Sequence, residues 1–139
     1  MTGSRGVVLT PDATVADVAD EAFELVALPG GAEGARRLGE DPVLAAVLAR
    51  HAAGNGWTAA ICAAPAVLAA QGLLEGRRAT GFPGALEEYG ISSTGSALET
   101  DGRIVTSRGP GTAMDFALEL IERLGGRALR DDVESRLQR

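Results

Sequence analysis

The stretch WTAAICAAPAVLAAQGLL, residues 57–74, carries no charge and changes character in the middle. Trp57 to Ile61 is an apolar run of strand length, and Ala66 to Leu74 continues as an alanine- and leucine-rich helical run. Between them stand Cys62, Ala63, Ala64 and Pro65. Proline is tolerated in the first turn of a helix, so the order is strand, cysteine, helix. A membrane-spanning helix wants about 20 predominantly apolar residues, and Thr58, Pro65, Gln71 and Gly72 interrupt this one. The stretch therefore predicts a buried strand that turns at Cys62 into a buried helix, in a chain that does not cross a membrane.

On the amino-terminal side, FELVAL (residues 23–28) predicts a strand closed by Pro29-Gly30-Gly31. Val7-Val8-Leu9 is a weaker β-branched run that ends at Thr10-Pro11-Asp12. Asp41-Pro42 reads as an N-cap followed by proline at the first turn, with Val43, Leu44, Val47 and Leu48 on one face and Gly54 as the stop. On the carboxyl-terminal side, Ala97 to Glu99 and Arg103 to Thr106 flank Thr100-Asp101-Gly102 and predict a hairpin. Thr112 and Asp115 have capping-box spacing ahead of a stripe of Phe116, Ala117, Leu120, Ile121 and Leu124. Residues 127–138 add a short charged helix. Strands alternating with such helices predict an α/β fold, with a mostly parallel sheet and helices on both faces. In such sheets ligands collect beyond the carboxyl ends of the strands, where Gly30-Gly31 and Cys62 fall.

Composition narrows the function classes. A chain of 139 residues with 45% hydrophobic content supports a single domain over residues 1–139, and with only 4% aromatic residues its core rests on small and branched aliphatics. The formal charge of −6 argues against nucleic acid, whose binding draws on clustered cations. Every cation is arginine, so no lysine is available for a Schiff base. One cysteine allows no internal disulfide, which points to a reducing, cytoplasmic setting. The opening MTGSRG has no apolar signal core. One histidine and one cysteine make no zinc cage, and nothing implies another metal or a cofactor.

A lone cysteine among alanines is by itself most simply a small buried hydrophobe. Its position at a strand-to-helix turn changes that reading. Such an elbow makes the side chain protrude, and a helix N-terminus facing a thiol favours the thiolate. Backbone N–H groups of Gly30, Gly31 and Ala63 can converge on an oxyanion beside the sulfur, although Gly30-Gly31 also reads as an ordinary turn. His51, eleven residues earlier near a helix end, is read as an exposed surface histidine, which disfavours Cys-His protease chemistry.

Four motifs occur in order: FELVALPGG (23–31), AAICAAP (59–65), TGFP (80–83) and TSRGPGTAMDFAL (106–118). Together they resemble the DJ-1/ThiJ/PfpI superfamily, which shares the class I glutamine amidotransferase-like fold, and the resemblance is greatest to its bacterial YajL/ThiJ-like branch. It implies a flavodoxin-like three-layer α/β sandwich and a homodimer. By motif match Cys62 takes the nucleophile and redox position, and the backbones of Gly30, Gly31 and Ala63 take the oxyanion-hole positions. The function implied is cysteine-dependent stress protection, of the glyoxalase or protein deglycase kind, on methylglyoxal or its adducts, so that the partner is a small carbonyl compound or a glycated group. The alternatives are a redox sensor or holdase chaperone acting through oxidation of Cys62, and an inactive truncated member.

Two departures concern the site: Ala63 stands where protease-like members carry histidine, and Phe82 where animal members carry histidine. A third concerns the beginning. The family's opening βαβ unit has no counterpart here, and with it goes the glutamate that contacts the cysteine sulfur. Glu33 is the only nearby acidic residue to suggest in its place. The expectation is an N-terminally truncated fold, completed by upstream sequence, by another chain or by a partner subunit.

Overall fold

The computed structural model describes residues 1–3 and 5–139. Four strands form one sheet: β1 (Leu25–Leu28), β2 (Trp57–Ile61), β3 (Leu98–Asp101) and β4 (Ile104–Ser107). Their order is β1-β2-β4-β3, with β1, β2 and β4 parallel and β3 antiparallel to β4. Among the described residues, five α-helices accompany them: α1 (Ala32–Glu40), α2 (Pro42–Ala53), α3 (Pro65–Ala70), α4 (Ala113–Gly125) and α5 (Arg127–Arg136).

The alternation along β2 produces the layers, because neighbouring side chains on a strand point to opposite faces. Ala60 points into a core with Leu28, Leu44, Leu48, Val67 and Leu68, built by α1, α2 and α3. Ala59 points the other way, to Val105 and Phe116 under α4. Ala59, Ala60, Ala64 and Ala79 are fully buried, so helices approach the sheet closely without large rings to fill the gap. The predicted mostly parallel α/β sandwich is therefore the architecture present. Among the described residues no helix is long and apolar enough to cross a membrane.

Several local expectations hold. The Asp41 carboxylate accepts the N–H groups of Val43 at 2.8 Å and Leu44 at 3.1 Å, capping α2 with Pro42 in its first turn. The hairpin forms between β3 and β4, with Asp101 opposite Ile104.

Others are corrected. Val7 to Leu9 is not a strand of the sheet. Val7 and Val8 are 61% and 71% exposed, and the segment makes only an isolated bridge between Thr2 and Val8. Its backbone partners are Met1 and Gly3, through Leu9 N–H to Met1 O and Gly3 N–H to Val7 O, both 2.8 Å, so it lies outside the sheet and propensity alone does not place it there. The strand expected over residues 23–28 starts at Leu25. The helix expected over Ala66 to Leu74 ends at Ala70, because Gly72 takes a left-handed φ of 71°. Thr112 does not cap α4 with Asp115. Its hydroxyl instead accepts the Gly109 N–H at 3.2 Å and pairs with Ser107 Oγ at 2.6 Å, while Asp115 binds Arg139.

Helix α1 was not foreseen. Gly34 and Gly39 depress its helix propensity, and only Ala35 is buried in it. Tertiary packing of that small face over Val67, together with Arg36 bridging Glu33 and Glu40, supplies what propensity does not.

Candidate functional site around Cys62

Strand β2 delivers Cys62 to the carboxyl end of the sheet, where the chain turns sharply. Cys62 has φ of 65°, a left-handed value that costs a side-chain-bearing residue on the order of 1–2 kcal/mol. Two hydrogen bonds hold it there. Its N–H donates to Ser107 O at 2.9 Å, at the end of β4, and its carbonyl accepts the Phe82 N–H at 2.7 Å. Ala64 N–H closes the turn on Ile61 O at 3.1 Å, and α3 follows. The thiol is partly buried and has no disulfide partner. A partly exposed cysteine at a left-handed φ, held by a strand on one side and a loop on the other, has the backbone geometry of a nucleophile elbow.

Gly30 lies against the cysteine. A Cβ built on Gly30 would stand 2.7 Å from Cys62 Cβ, 3.0 Å from Ile61 O and 3.6 Å from Cys62 Sγ. Only glycine fits, and the parallel pairing of Leu28 with Ala60 produces the approach by bringing both strand ends to the same level. Gly31, at φ of 100°, starts α1, and its carbonyl accepts the Ala35 N–H at 2.8 Å. Among the described residues, the N–H groups of Gly30, Gly31 and Ala63 have no hydrogen-bond acceptor within the chain.

The TGFP segment closes the opposite flank. Thr80 is fully buried; its N–H donates to Thr106 Oγ1 at 3.0 Å and its hydroxyl to Ser96 O at 2.8 Å. Gly81 then passes so near that an added Cβ would sit 3.4 Å from Cys62 O and from Pro65. This leaves the Phe82 ring 52% exposed beside the elbow.

The remaining titratable candidates are placed elsewhere. Glu33 follows Gly31 in the first turn of α1, but its exposed carboxylate binds Arg36 at 2.9 Å and Arg37 at 2.7 Å. Those hydrogen bonds hold its pKa down to about 2, so it stays ionised through the neutral range. It is a surface ion-pair residue and not a protonated partner for the thiol. His51 is not a free surface residue either. It is partly buried, its ring covers Gly56, and Nε2 lies 2.7 Å from Trp57 O. Trp57 begins β2 and Cys62 follows its end, five residues on, so roughly 16 Å of strand separates the two ends. No Cys-His pair forms, and no cluster of three or more metal-ligating side chains occurs among the described residues.

Sequence reading missed two contributors, Thr80 and Ser107. Each is a short polar residue to which local pattern assigns no role. Only the pairing of residues 26 apart, Thr80 with Thr106, reveals the role of the first.

Residues 1–123 match the family model described as DJ-1/PfpI family. Among curated proteins the chain is 40% identical over 135 residues to Protein DJ-1 homolog A of Arabidopsis thaliana, covering 94% of this chain and 34% of that protein. It is 40% identical over 128 residues to Protein dj-1beta of Drosophila melanogaster, covering 89% and 68%. It is 34% identical over 125 residues to the Caenorhabditis elegans protein named glutathione-independent glyoxalase DJR-1.2, covering 88% and 67%. The chain thus spans about a third of the plant relative and about two thirds of the animal ones. Among solved structures, Drosophila melanogaster DJ-1beta superposes with a TM-score of 0.91 at 38% identity, covering 97% of this chain and 74% of that one. Oxidised Toxoplasma gondii DJ-1 also gives 0.91, at 35% identity, with the same coverage.

Proposed function

The chain belongs to the DJ-1/PfpI family, and from that membership we propose that it is a stress-protection protein whose Cys62 thiolate attacks small α-oxoaldehydes such as methylglyoxal or the adducts they form. The observation that carries the reading is the elbow itself: a strained, partly exposed cysteine with a glycine backbone pressed against it. The relative named as a glyoxalase supports the same substrate class.

In this reading Sγ forms a bond to the aldehyde carbon and the carbonyl electron pair moves to oxygen. The N–H groups of Gly30, Gly31 and Ala63, which have no partner within the chain, are the donors for that oxyanion. The hydrogen on the former aldehyde carbon then moves as a proton to the neighbouring ketone carbon through an enediol. The ketone is thereby reduced to an alcohol and the first carbon oxidised to a thioester. Water hydrolyses the thioester, releasing an α-hydroxy acid and restoring the thiol. The net change is addition of one water, with no metal or organic cofactor required. A homodimer or completion by another chain accompanies this reading, in a cytoplasmic setting.

The test is lactate formation from methylglyoxal. Cys62→Ala is expected to lower the rate by at least about a hundredfold, since the step depends on one sulfur atom. Equal rates in wild type and variant would remove Cys62 from the chemistry.

A second reading follows from Glu33 and His51, the two groups that would move the proton, being engaged elsewhere. Without that transfer Cys62 serves as a redox sensor or as the switch of a holdase. Two equivalents of peroxide convert its thiolate to sulfinate, with two waters formed. Intact mass after dilute peroxide is expected to rise by two oxygens, and peptide mapping to place both on Cys62 while Met1 and Met114 are spared. Oxidation of the methionines ahead of Cys62 would count against this reading.

A further inference from the structure

On the β4 side of the elbow, away from Gly30, lies a cavity of about 290 Å³ lined by Phe82, Pro83, Pro110, Arg108 and Thr112 among others. We propose that this cavity is the subsite for the group on the ketone carbon of the α-oxoaldehyde whose aldehyde carbon Cys62 attacks, and that the group it selects is an aromatic ring. The inference rests on the reading of Cys62 as a nucleophile.

Position is the first argument. Phe82 is one of the two residues that hold the cysteine backbone and Arg108 adjoins the other, since Phe82 N–H donates to Cys62 O and Ser107 O accepts Cys62 N–H. Gly30 and its unpartnered N–H stand on the opposite, β1 flank of the sulfur. An aldehyde carbon at Sγ with its oxygen toward Gly30 therefore directs its acyl substituent, and the group that the acyl carbon bears, toward Phe82 and Pro110.

The walls are also fixed before any ligand arrives. Thr112 Oγ1 closes the loop by bonding Ser107 Oγ and the Gly109 N–H, and Thr80 anchors the segment that carries Phe82. Preformed apolar clefts with few polar groups are how small ligands are oriented. Phe82 leaves about half its surface to solvent, an exposed ring in a site whose apolar walls are otherwise proline and glycine, with Arg108 and Thr112 as its polar groups. Covering that ring gains hydrophobic free energy that a methyl group, with its small area, cannot match.

Arg108 decides between aromatic and aliphatic groups. One guanidinium N–H donates to Gly95 O at 2.8 Å, and no carboxylate pairs with it among the described residues. A cation fixed at the rim of an apolar cleft attracts the face of an aromatic ring and does nothing for an alkyl chain.

Alkylation of Cys62 isolates the subsite from later steps, because S–C bond formation with loss of bromide needs no proton transfer from carbon. The probes are 2-bromoacetophenone and bromoacetone, which differ only in phenyl against methyl. Each rate at Cys62 is divided by the rate with free N-acetylcysteine. The wild-type protein is expected to favour the phenyl reagent about tenfold after this correction. Phe82→Ala should bring that ratio close to one, and Phe82→Leu should restore roughly threefold. A wild-type ratio near one, with Cys62 alkylated by both reagents, would overturn the subsite and leave the nucleophile assignment standing. An undiminished ratio in Phe82→Ala would overturn the assignment to this cavity. Failure of either reagent to reach Cys62 would overturn both readings.

Discussion

Gly30→Ala is expected to lower unfolding stability by about 2 kcal/mol and to slow alkylation of Cys62 by iodoacetamide at least about tenfold. The added methyl would stand 2.7 Å from Cys62 Cβ and 3.0 Å from Ile61 O. Neither atom is the end of a flexible side chain: one is fixed by the elbow and the other is backbone. Relief must come from moving the end of β1 or the turn itself, and either motion takes the sulfur away from its position. Gly31→Ala is the control. It meets nothing within 4 Å, but its φ of 100° makes any side chain costly. Both substitutions should lower the urea midpoint, whereas only Gly30→Ala should suppress thiol reactivity. An unchanged midpoint and an unchanged alkylation rate in Gly30→Ala would show that the two strand ends do not approach in this way.

Leu68→Ala carries the largest expected loss of stability, about 3 kcal/mol within the usual range for emptying a core leucine site. Leu68 is completely buried among aliphatic residues from α1, α2 and the sheet. Helix α3 has only six residues, too few to be stable by itself, so its position depends on that packing. Small neighbours such as Ala60, Ala64 and Ala79 cannot swing side chains into the vacated space, which leaves the cavity unfilled. Leu73→Ala, at a partly buried position beside the same core, should cost clearly less. Urea unfolding of both variants makes the comparison, and a loss for Leu68 no larger than for Leu73 would show that α3 is not held by its buried face. Because α3 leads directly from the elbow, the Leu68 variant should also show a faster, less selective Cys62.

Much of this could be read from local pattern. Strand β2, the Asp41 cap, helix α2 and the β3–β4 hairpin each depend on contacts within a few residues, and hydrophobic period and capping chemistry report such contacts directly. The elbow was legible for the same reason, as an apolar strand running without a break into a helix at Cys62. Where local signals misled, the deciding partner lay far away in the chain or was absent. Val7 to Leu9 has strand composition but pairs only with residues 1–3, outside the sheet, while α1 has poor helix composition but a face, Ala35 and Leu38, that joins the core. Thr112 has a cap's identity, yet Ser107 and Gly109 take its hydroxyl.

Local sequence pattern was enough for the α/β class, for the family pattern and for placing Cys62 at a strand-to-helix turn. Tertiary structure alone decided what surrounds that residue: Gly30 against it, Phe82 and Arg108 beside it, Glu33 bound to its own arginines and His51 at the far end of β2. The physical reason is that strand and helix periods are written in neighbouring residues. The meeting of two loops at the carboxyl end of a sheet is instead set by register between strands about thirty residues apart, as in the pairing of Leu28 with Ala60.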